Sequence, residues 1–118
     1  MEIVNVVGLT NNTPDNSGAT HANSSGNSTT PDTGATPTSA SANAVAIAVF
    51  EAVSPGGSIS WGGTPTFTSD AMDVTDVISS TTYILTGAYY IATATGTFDA
   101  ALTGITPASW GGSVVVYS

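Results

Sequence analysis

Three observations predict an all-β protein. Large apolar side chains alternate with small or polar ones in several segments, as they do along a strand with one buried face. Turn-forming Gly and Pro residues separate these segments, and no segment has a convincing helical period. Hydrophobic residues make up 41% of the 118 residues, which is enough for one core and therefore one domain. The sequence predicts an antiparallel β-sandwich of jelly-roll or Greek-key type.

The first 40 residues are predicted to form a short strand followed by an extended arm. Residues 2–9 are rich in β-branched side chains and reach a glycine at Gly8, which indicates a strand. Residues 10–40 consist almost wholly of Thr, Ser, Asn, Gly, Pro, Asp and Ala, a composition typical of flexible linkers. We expect contact to order this arm, either with the sandwich or with neighbouring subunits. Residues 1–40 and the sandwich of residues 41–118 then form one domain.

The first strand of the sandwich is predicted shortly after residue 41. Val45, Ile47 and Val49 alternate with alanines, so one face of this strand carries large apolar groups and the other carries methyl groups. The flat methyl face suits burial against another surface.

Two Gly-Gly pairs are predicted to lie in turns or loops. Gly62 and Gly63 follow an apolar segment, which predicts a tight hairpin and a return strand over residues 64–68. Pro107 and the pair Gly111-Gly112 bracket the last predicted loop, which precedes a final strand.

The longest strand is predicted over residues 81–93. Four large side chains in this segment share one face: Tyr83, Leu85, Tyr89 and Ile91. Residues 97–103 and 113–118 are the remaining predicted strands.

The charge of the chain excludes several classes of function. Eight residues are Asp or Glu and none is Lys or Arg, so the formal net charge is -8. Nucleic-acid binding depends on cations set against phosphates, and attachment to an anionic membrane depends on basic clusters, so neither partner is expected. Schiff-base lysines and arginine fingers are excluded too. The chain begins at Met1 without a basic, apolar leader, which favours release inside a virion over secretion.

No arrangement of side chains predicts catalysis, and one cluster is a candidate metal site. His21 is the only His and has no recognisable catalytic partner nearby. Asp70, Asp73 and Asp76 form an acidic cluster, and carboxylates in a loop are hard ligands suited to Ca²⁺. Their spacing lacks the alternate-position ligands and the glycine of an EF-hand loop. The alternative is that they are solvated loop residues or a helical-turn cap, and no other cofactor is expected.

Two tryptophans and three sequons raise the question of contact with glycans. Trp61 and Trp110 each precede Gly-Gly, and aromatic rings beside loops can stack on sugar rings. The alternative is that both indoles pack beneath hairpins, with the N–H reaching a backbone carbonyl. Asn11, Asn23 and Asn27 begin N-glycosylation sequons, which arise readily by chance in a chain this rich in Asn, Ser and Thr.

Three motifs give the chain a resemblance to a known module. ISWGG with a following Ala-Met near residues 59–72, YYIATATGTFDAALTG at 89–104 and WGGSVVVYS at 110–118 follow one another in this order. Together they resemble a concanavalin-like or jelly-roll β-sandwich module found in phage virion proteins and bacterial surface proteins. The resemblance covers roughly residues 41–118. It implies the fold, and the module offers no shared catalytic residues.

These observations favour a non-enzymatic structural subunit on the surface of a virion, such as a phage capsid decoration or cement protein. Its expected partners are copies of itself, the major capsid protein, or both. Strands at the two chain ends are expected to pair with neighbouring sheet edges through Ile3, Val4, Val6, Val7, Val114, Val115, Val116 and Tyr117. The alternatives are an extracellular filament or adhesin subunit assembled by strand exchange, and a carbohydrate-binding module.

Overall fold

The computed structural model describes residues 14–15, 20–69 and 73–118. This part of the chain contains eight strands, and no helix in it is long and apolar enough to cross a membrane. In chain order the strands are β1 (His21–Ser28), β2 (Ala44–Val53), β3 (Gly57–Thr64), β4 (Thr68–Ser69), β5 (Val74–Ile78), β6 (Thr81–Ala92), β7 (Asp99–Ile105) and β8 (Ala108–Tyr117). The strand predicted over residues 2–9 lies outside the described residues.

The strands form two antiparallel sheets that pack face to face. The larger sheet has six strands in the order β1-β8-β2-β6-β4, with β5 also paired to β6. The smaller sheet consists of β3 and β7. Buried side chains from both sheets meet in one apolar cluster. The predicted antiparallel β-sandwich is therefore confirmed.

β2 turns its alanines and Phe50 toward the core and its large aliphatic side chains away from it. Ala46 and Ala48 are 0% exposed, whereas Val49 is 36% exposed. The flat methyl face leaves room for aromatic rings from both sheets. These rings form a continuous row whose neighbouring centroids lie 5.5 to 6.5 Å apart: Trp110, Phe50, Trp61, Phe67, Tyr90 and Phe98.

The two Gly-Gly pairs lie within strands, so the turns predicted at these positions are wrong. β3 continues through Gly62 and Gly63 and pairs with β7, not with an adjacent return strand. β8 likewise runs through Gly111 and Gly112. A Cβ atom on Gly112 would collide with the ring of Phe50. This glycine therefore permits close packing of a ring against the backbone and does not reverse the chain.

Part of the Ser/Asn-rich arm is a strand, which its composition did not predict. β1 pairs with β8 along its whole length, from His21 opposite Val115 to Ser28 opposite Ala108. Most of its side chains are exposed, so backbone hydrogen bonds attach it to the sandwich more than apolar burial does. Of the two expected sources of order for the arm, the structure shows contact with the sandwich.

Three hydroxyl residues, here called the hydroxyl clamp, fasten the rest of the arm to β7 and to the segment before it. Thr33, Thr36 and Ser39 are each at most 3% exposed. Each donates its backbone N–H to the carbonyl of one residue and accepts the N–H of that same residue on its hydroxyl oxygen. The distances are 2.8 to 3.1 Å, and the partners are Ala100, Phe98 and Gly96, respectively. The arm thereby pairs with an edge of β7 that a further strand would otherwise occupy.

Candidate docking site on the outer face

The outer face of the six-stranded sheet points away from β3 and β7. Among the described residues, this face carries all the large, exposed apolar side chains except Val77. One row of directly opposed residues crosses five strands on this face: Ser25, Gly111, Glu51, Leu85 and Val74. The row is polar at the β1 end and apolar at the β5 end.

The apolar end of the row belongs to a cluster, here called the apolar patch, of Val49, Val74, Tyr83 and Leu85. Leu85 is 47% exposed, and Val74, directly opposite it on β5, is 57% exposed. Tyr83 lies on the same face, two residues before Leu85 on β6. Val49 also lies on this face, opposite Gly87 and therefore diagonal to Leu85. Contiguous exposed apolar groups on a soluble domain mark interaction sites. We therefore regard this face as the candidate functional site.

The apolar patch was visible in the sequence only as an alternation. The shared parity of residues 83–91 indicated one apolar face of a strand, but it did not tell whether that face was the core. The structure makes it the outer face, because the opposite parity of β6 carries Thr86, Ala88 and Tyr90 toward the aromatic row.

Glu51 lies at the centre of the outer face. It is exposed, and its neighbours across the strands are Gly111 on one side and Leu85 on the other. Within residues 14–15, 20–69 and 73–118, no group donates a hydrogen bond to its carboxylate. The sequence contains no Lys or Arg that could pair with it. This carboxylate therefore lies beside apolar side chains without a charged partner.

A groove of about 530 Å³ opens next to Glu51. Its floor follows residues 111–113, where Gly111 carries no side chain and Ser113 a small one, and it is flanked by residues 23–25 of β1 and by the side chains of Val49 and Leu85. The groove is thus polar on one wall and apolar on the other, with a carboxylate at its centre.

The predicted interface residues of β8 do not lie at an open sheet edge. β8 is paired with β1 on one side and with β2 on the other, and Val114 and Val116 are 0% exposed. Because β1 already occupies that edge, backbone pairing of β8 with a neighbouring subunit would require β1 to leave it, and the expected pairing stays a prediction. Val115 and Tyr117 face outward and are half-buried, so a side-chain contact there stays a prediction. Ile3, Val4, Val6 and Val7 lie outside the described residues.

The acidic cluster is not brought together by the residues that the structure describes. Asp73 accepts a hydrogen bond from Thr86 Oγ1 on the inner side of the sheet. Asp76 lies on the outer face opposite Tyr83, and its Oδ1 accepts the backbone N–H of Val77 at 2.8 Å. Nowhere in these residues do three or more His, Cys, Asp or Glu side chains form a group that could hold a metal ion. Asp70 lies outside the described residues, and the calcium site stays a prediction.

Both tryptophans are built into the aromatic row. Each ring is half-buried, and each indole N–H is hydrogen-bonded: Trp61 to Thr86 Oγ1 at 3.1 Å and Trp110 to Ser28 Oγ at 3.0 Å. This packing favours the structural interpretation over stacking on sugars, with hydroxyl groups as acceptors in place of the expected backbone carbonyls. The sequon residues Asn23 and Asn27 lie on exposed β1 positions, whereas Asn11 is outside the described residues.

Asp15 is a buried carboxylate that no sequence motif marked out. It is 1% exposed and accepts hydrogen bonds from Thr20 Oγ1 at 2.8 Å and from the backbone N–H groups of Ala40 and Ser41 at 2.7 and 3.1 Å. Burial opposes its ionisation, but the hydrogen bonds prevail, so the pKa of Asp15 is lowered. Asp15 therefore ties the start of the arm to its end.

Asp99, at the start of β7, has the opposite environment. Burial, followed by the hydrogen bond and the negative charge of Asp32, raises the pKa of Asp99 to about 6. Its Oδ1 atom is buried and has no hydrogen-bond partner among the described residues. Asp32 lies on the arm, where it forms a backbone bridge with Ala101. The two acids are far apart in sequence, so only the fold reveals the pair.

Comparisons of the chain with protein-family models, with curated proteins and with solved structures found no significant match. The likeness to a phage or bacterial surface module therefore stays a prediction.

Proposed function

We propose that this chain is a non-enzymatic structural subunit that docks onto a larger particle through the outer face of its six-stranded sheet. The observation that carries the proposal is the exposed apolar patch around Leu85 and Val74. A docked partner would remove this surface from water, and burial of apolar surface is the main driving force of protein association.

The setting we propose is the exterior of a viral particle, where the chain would act as a decoration or cement protein. A small sandwich without Lys or Arg, with a polar arm bound along its edges, supports this proposal. Its partners would be the major capsid protein, further copies of the chain, or both. Binding only in the assembled state would stabilise the particle by mass action.

Two substitutions on one strand test the proposal. Val74 and Val77 both lie on β5 and are 57% and 62% exposed, but they point to opposite faces of the sheet. We expect Val74→Ser to reduce the amount of the chain that sediments with particles from its native source, because it removes apolar surface from the patch. Val77→Ser is the matched control and should sediment as the parent chain does. Equal loss in both variants, or absence of the parent chain from the particle fraction, contradicts the proposal.

An extracellular filament or adhesin subunit is the second candidate, and the edge strand β1 favours it. β1 is an eight-residue strand without Lys, Glu, Asp or Pro, and no described strand pairs with its outer edge over residues 22–28. Such edges are templates for addition of a strand from another chain. Ser25→Pro would block this pairing, so filaments seen by electron microscopy with the parent chain and lost in this variant would favour the second candidate.

A further inference from the structure

We infer that the partner surface of the outer face carries a Lys or Arg that meets Glu51, surrounded by apolar side chains that meet the apolar patch. The inference depends on the proposed docking through this face and specifies the chemistry of the occupant.

Any partner that covers the apolar patch must also pair with the Glu51 carboxylate. Glu51 is directly opposite Leu85, which places the two Cβ atoms about 5 Å apart. A surface that buries Leu85 therefore also removes water from the carboxylate. A carboxylate withdrawn from water without a charged or hydrogen-bonding partner opposes binding strongly. The occupant must supply that partner.

A second copy of the chain has no Lys or Arg for this role and offers the carboxylate only the single His and neutral donors such as Ser, Thr and Asn side chains. A two-fold contact between outer faces would also bring the central rows of two copies together, with one Glu51 near the other. Because like charges repel most strongly where water is excluded, the occupant is a different protein.

The lining of the groove beside Glu51 suits a long basic side chain. A Cβ atom on Gly111 would lie 3.7 Å from Glu51 Oε1, so the glycine keeps one flank of the carboxylate open. The apolar wall of Val49 and Leu85 suits the methylene stem of Lys or Arg. The opposite wall offers the Asn23 amide and the Ser25 hydroxyl as further hydrogen-bond acceptors. Together these groups receive a cation from an otherwise apolar surface.

Cyclised β-hairpin peptides are a direct probe of this inference. One face of each hairpin presents Val and Leu, and the central position of that face is Lys, Gln or Glu. We expect the Lys hairpin to bind the parent chain about fivefold more tightly than the Gln hairpin in fluorescence anisotropy, with the difference shrinking as salt is added. Glu51→Gln should abolish the difference between the Lys and Gln hairpins, and Glu51→Lys should transfer the preference to the Glu hairpin.

The controls separate this inference from the proposed function. Leu85→Ser should weaken all three hairpins and Val77→Ser none, because only Leu85 belongs to the patch. Equal affinity of the Lys and Gln hairpins, or no measurable binding of either, overturns the inference. If the Lys and Gln hairpins bind equally and Leu85→Ser weakens both, the chain still docks through the outer face, but the partner needs no cation there. Self-association in sedimentation equilibrium that Leu85→Ser abolishes would identify a second copy as the occupant and would also overturn the inference.

Discussion

Asp99 and Asp32 place two carboxyl groups side by side where the arm meets β7. The ordinary pKa of the Asp99 side chain is 3.8, and in the fold it rises to about 6, mainly through burial and then through Asp32. The folded chain therefore holds a proton that the unfolded chain has already released at the same pH. The stabilisation that this proton gives is complete below pH 3.8 and is lost as the pH rises through about 6.

We predict that Asp99→Asn makes the free energy of unfolding less dependent on pH. Between pH 3.8 and about 6, Asp99 should make the free energy of unfolding of the parent chain fall as the pH rises. This contribution should be missing in the variant. Urea unfolding at a series of pH values measures it. Asp76→Asn is the control, because Asp76 is exposed. A variant whose pH dependence equals that of the parent chain contradicts the raised pKa.

The hydroxyl clamp explains how a segment without large apolar side chains becomes an ordered part of the fold. Each clamp hydroxyl accepts a backbone N–H from β7 or the segment before it and donates to a nearby carbonyl, as Thr36 does to Pro37 O at 2.8 Å. The composition of residues 31–39 predicted a linker, since composition reports apolar burial and not hydrogen-bond geometry. The spacing of Thr33, Thr36 and Ser39 is regular, but only the folded structure shows that it matches successive backbone groups of β7 and the segment before it.

We predict that Thr36→Val lowers the free energy of unfolding by about 2 kcal/mol. Valine has a similar shape but leaves the buried N–H of Phe98 without its acceptor. Thr38→Val is the matched control, since Thr38 is exposed on the same segment and should change stability by less than about 0.5 kcal/mol. Urea unfolding measures both values, and hydrogen exchange at the Phe98 amide should accelerate in Thr36→Val alone. Equal effects of the two changes would rule out a role for the clamp.

The alternation of side chains predicted the positions of strands correctly, whereas the Gly-Gly pairs predicted turns at positions that lie within strands. The alternations on β2, β6 and β7 placed real strands, because a period of two reports the geometry of a strand directly. Gly63 and Gly112 suggested turns, but the same lack of a side chain also lets a backbone carbonyl approach Gly63 closely and a ring pack against Gly112. The choice between these roles depends on residues that are distant in sequence, such as Phe50 beside Gly112.

The sequence also could not show that the candidate site lies on the outer face of the large sheet. The sequence displayed the apolar parity of β6 and the large face of β2, but burial of the larger side chains is the usual arrangement in a core. Here the aromatic row fills the core against alanines, so the larger aliphatic face is left to the outside. No sequence motif identified Glu51, because its role depends on Leu85 and Gly111, which lie opposite it on neighbouring strands.

The charge of the whole molecule is expected to lower its free energy of unfolding. All formal charge at neutral pH is negative, with a total of -8 and no Lys or Arg to form ion pairs. The compact state brings these charges closer together than the unfolded chain does. Added salt screens them, since the Debye length falls from about 30 Å at 0.01 M to about 8 Å at 0.15 M.

We predict that the free energy of unfolding rises as sodium chloride increases over this range. The double variant Glu51→Gln, Asp76→Asn removes two exposed charges and should show a smaller rise. Thermal unfolding followed by circular dichroism measures both chains. A free energy of unfolding that falls with salt would mean that attractive contacts between charged and dipolar groups outweigh the repulsion.

The position of β8 determines when the large sheet can form during synthesis. β1 and β2 precede it in the chain by many residues, yet each meets β8 and not the other. While the ribosome is still making the earlier strands, these two strands have no template to join them. Closure of the sheet is therefore a late event that inserts the newest segment between the older ones, and until then both flanks are open to the wrong pairing partners.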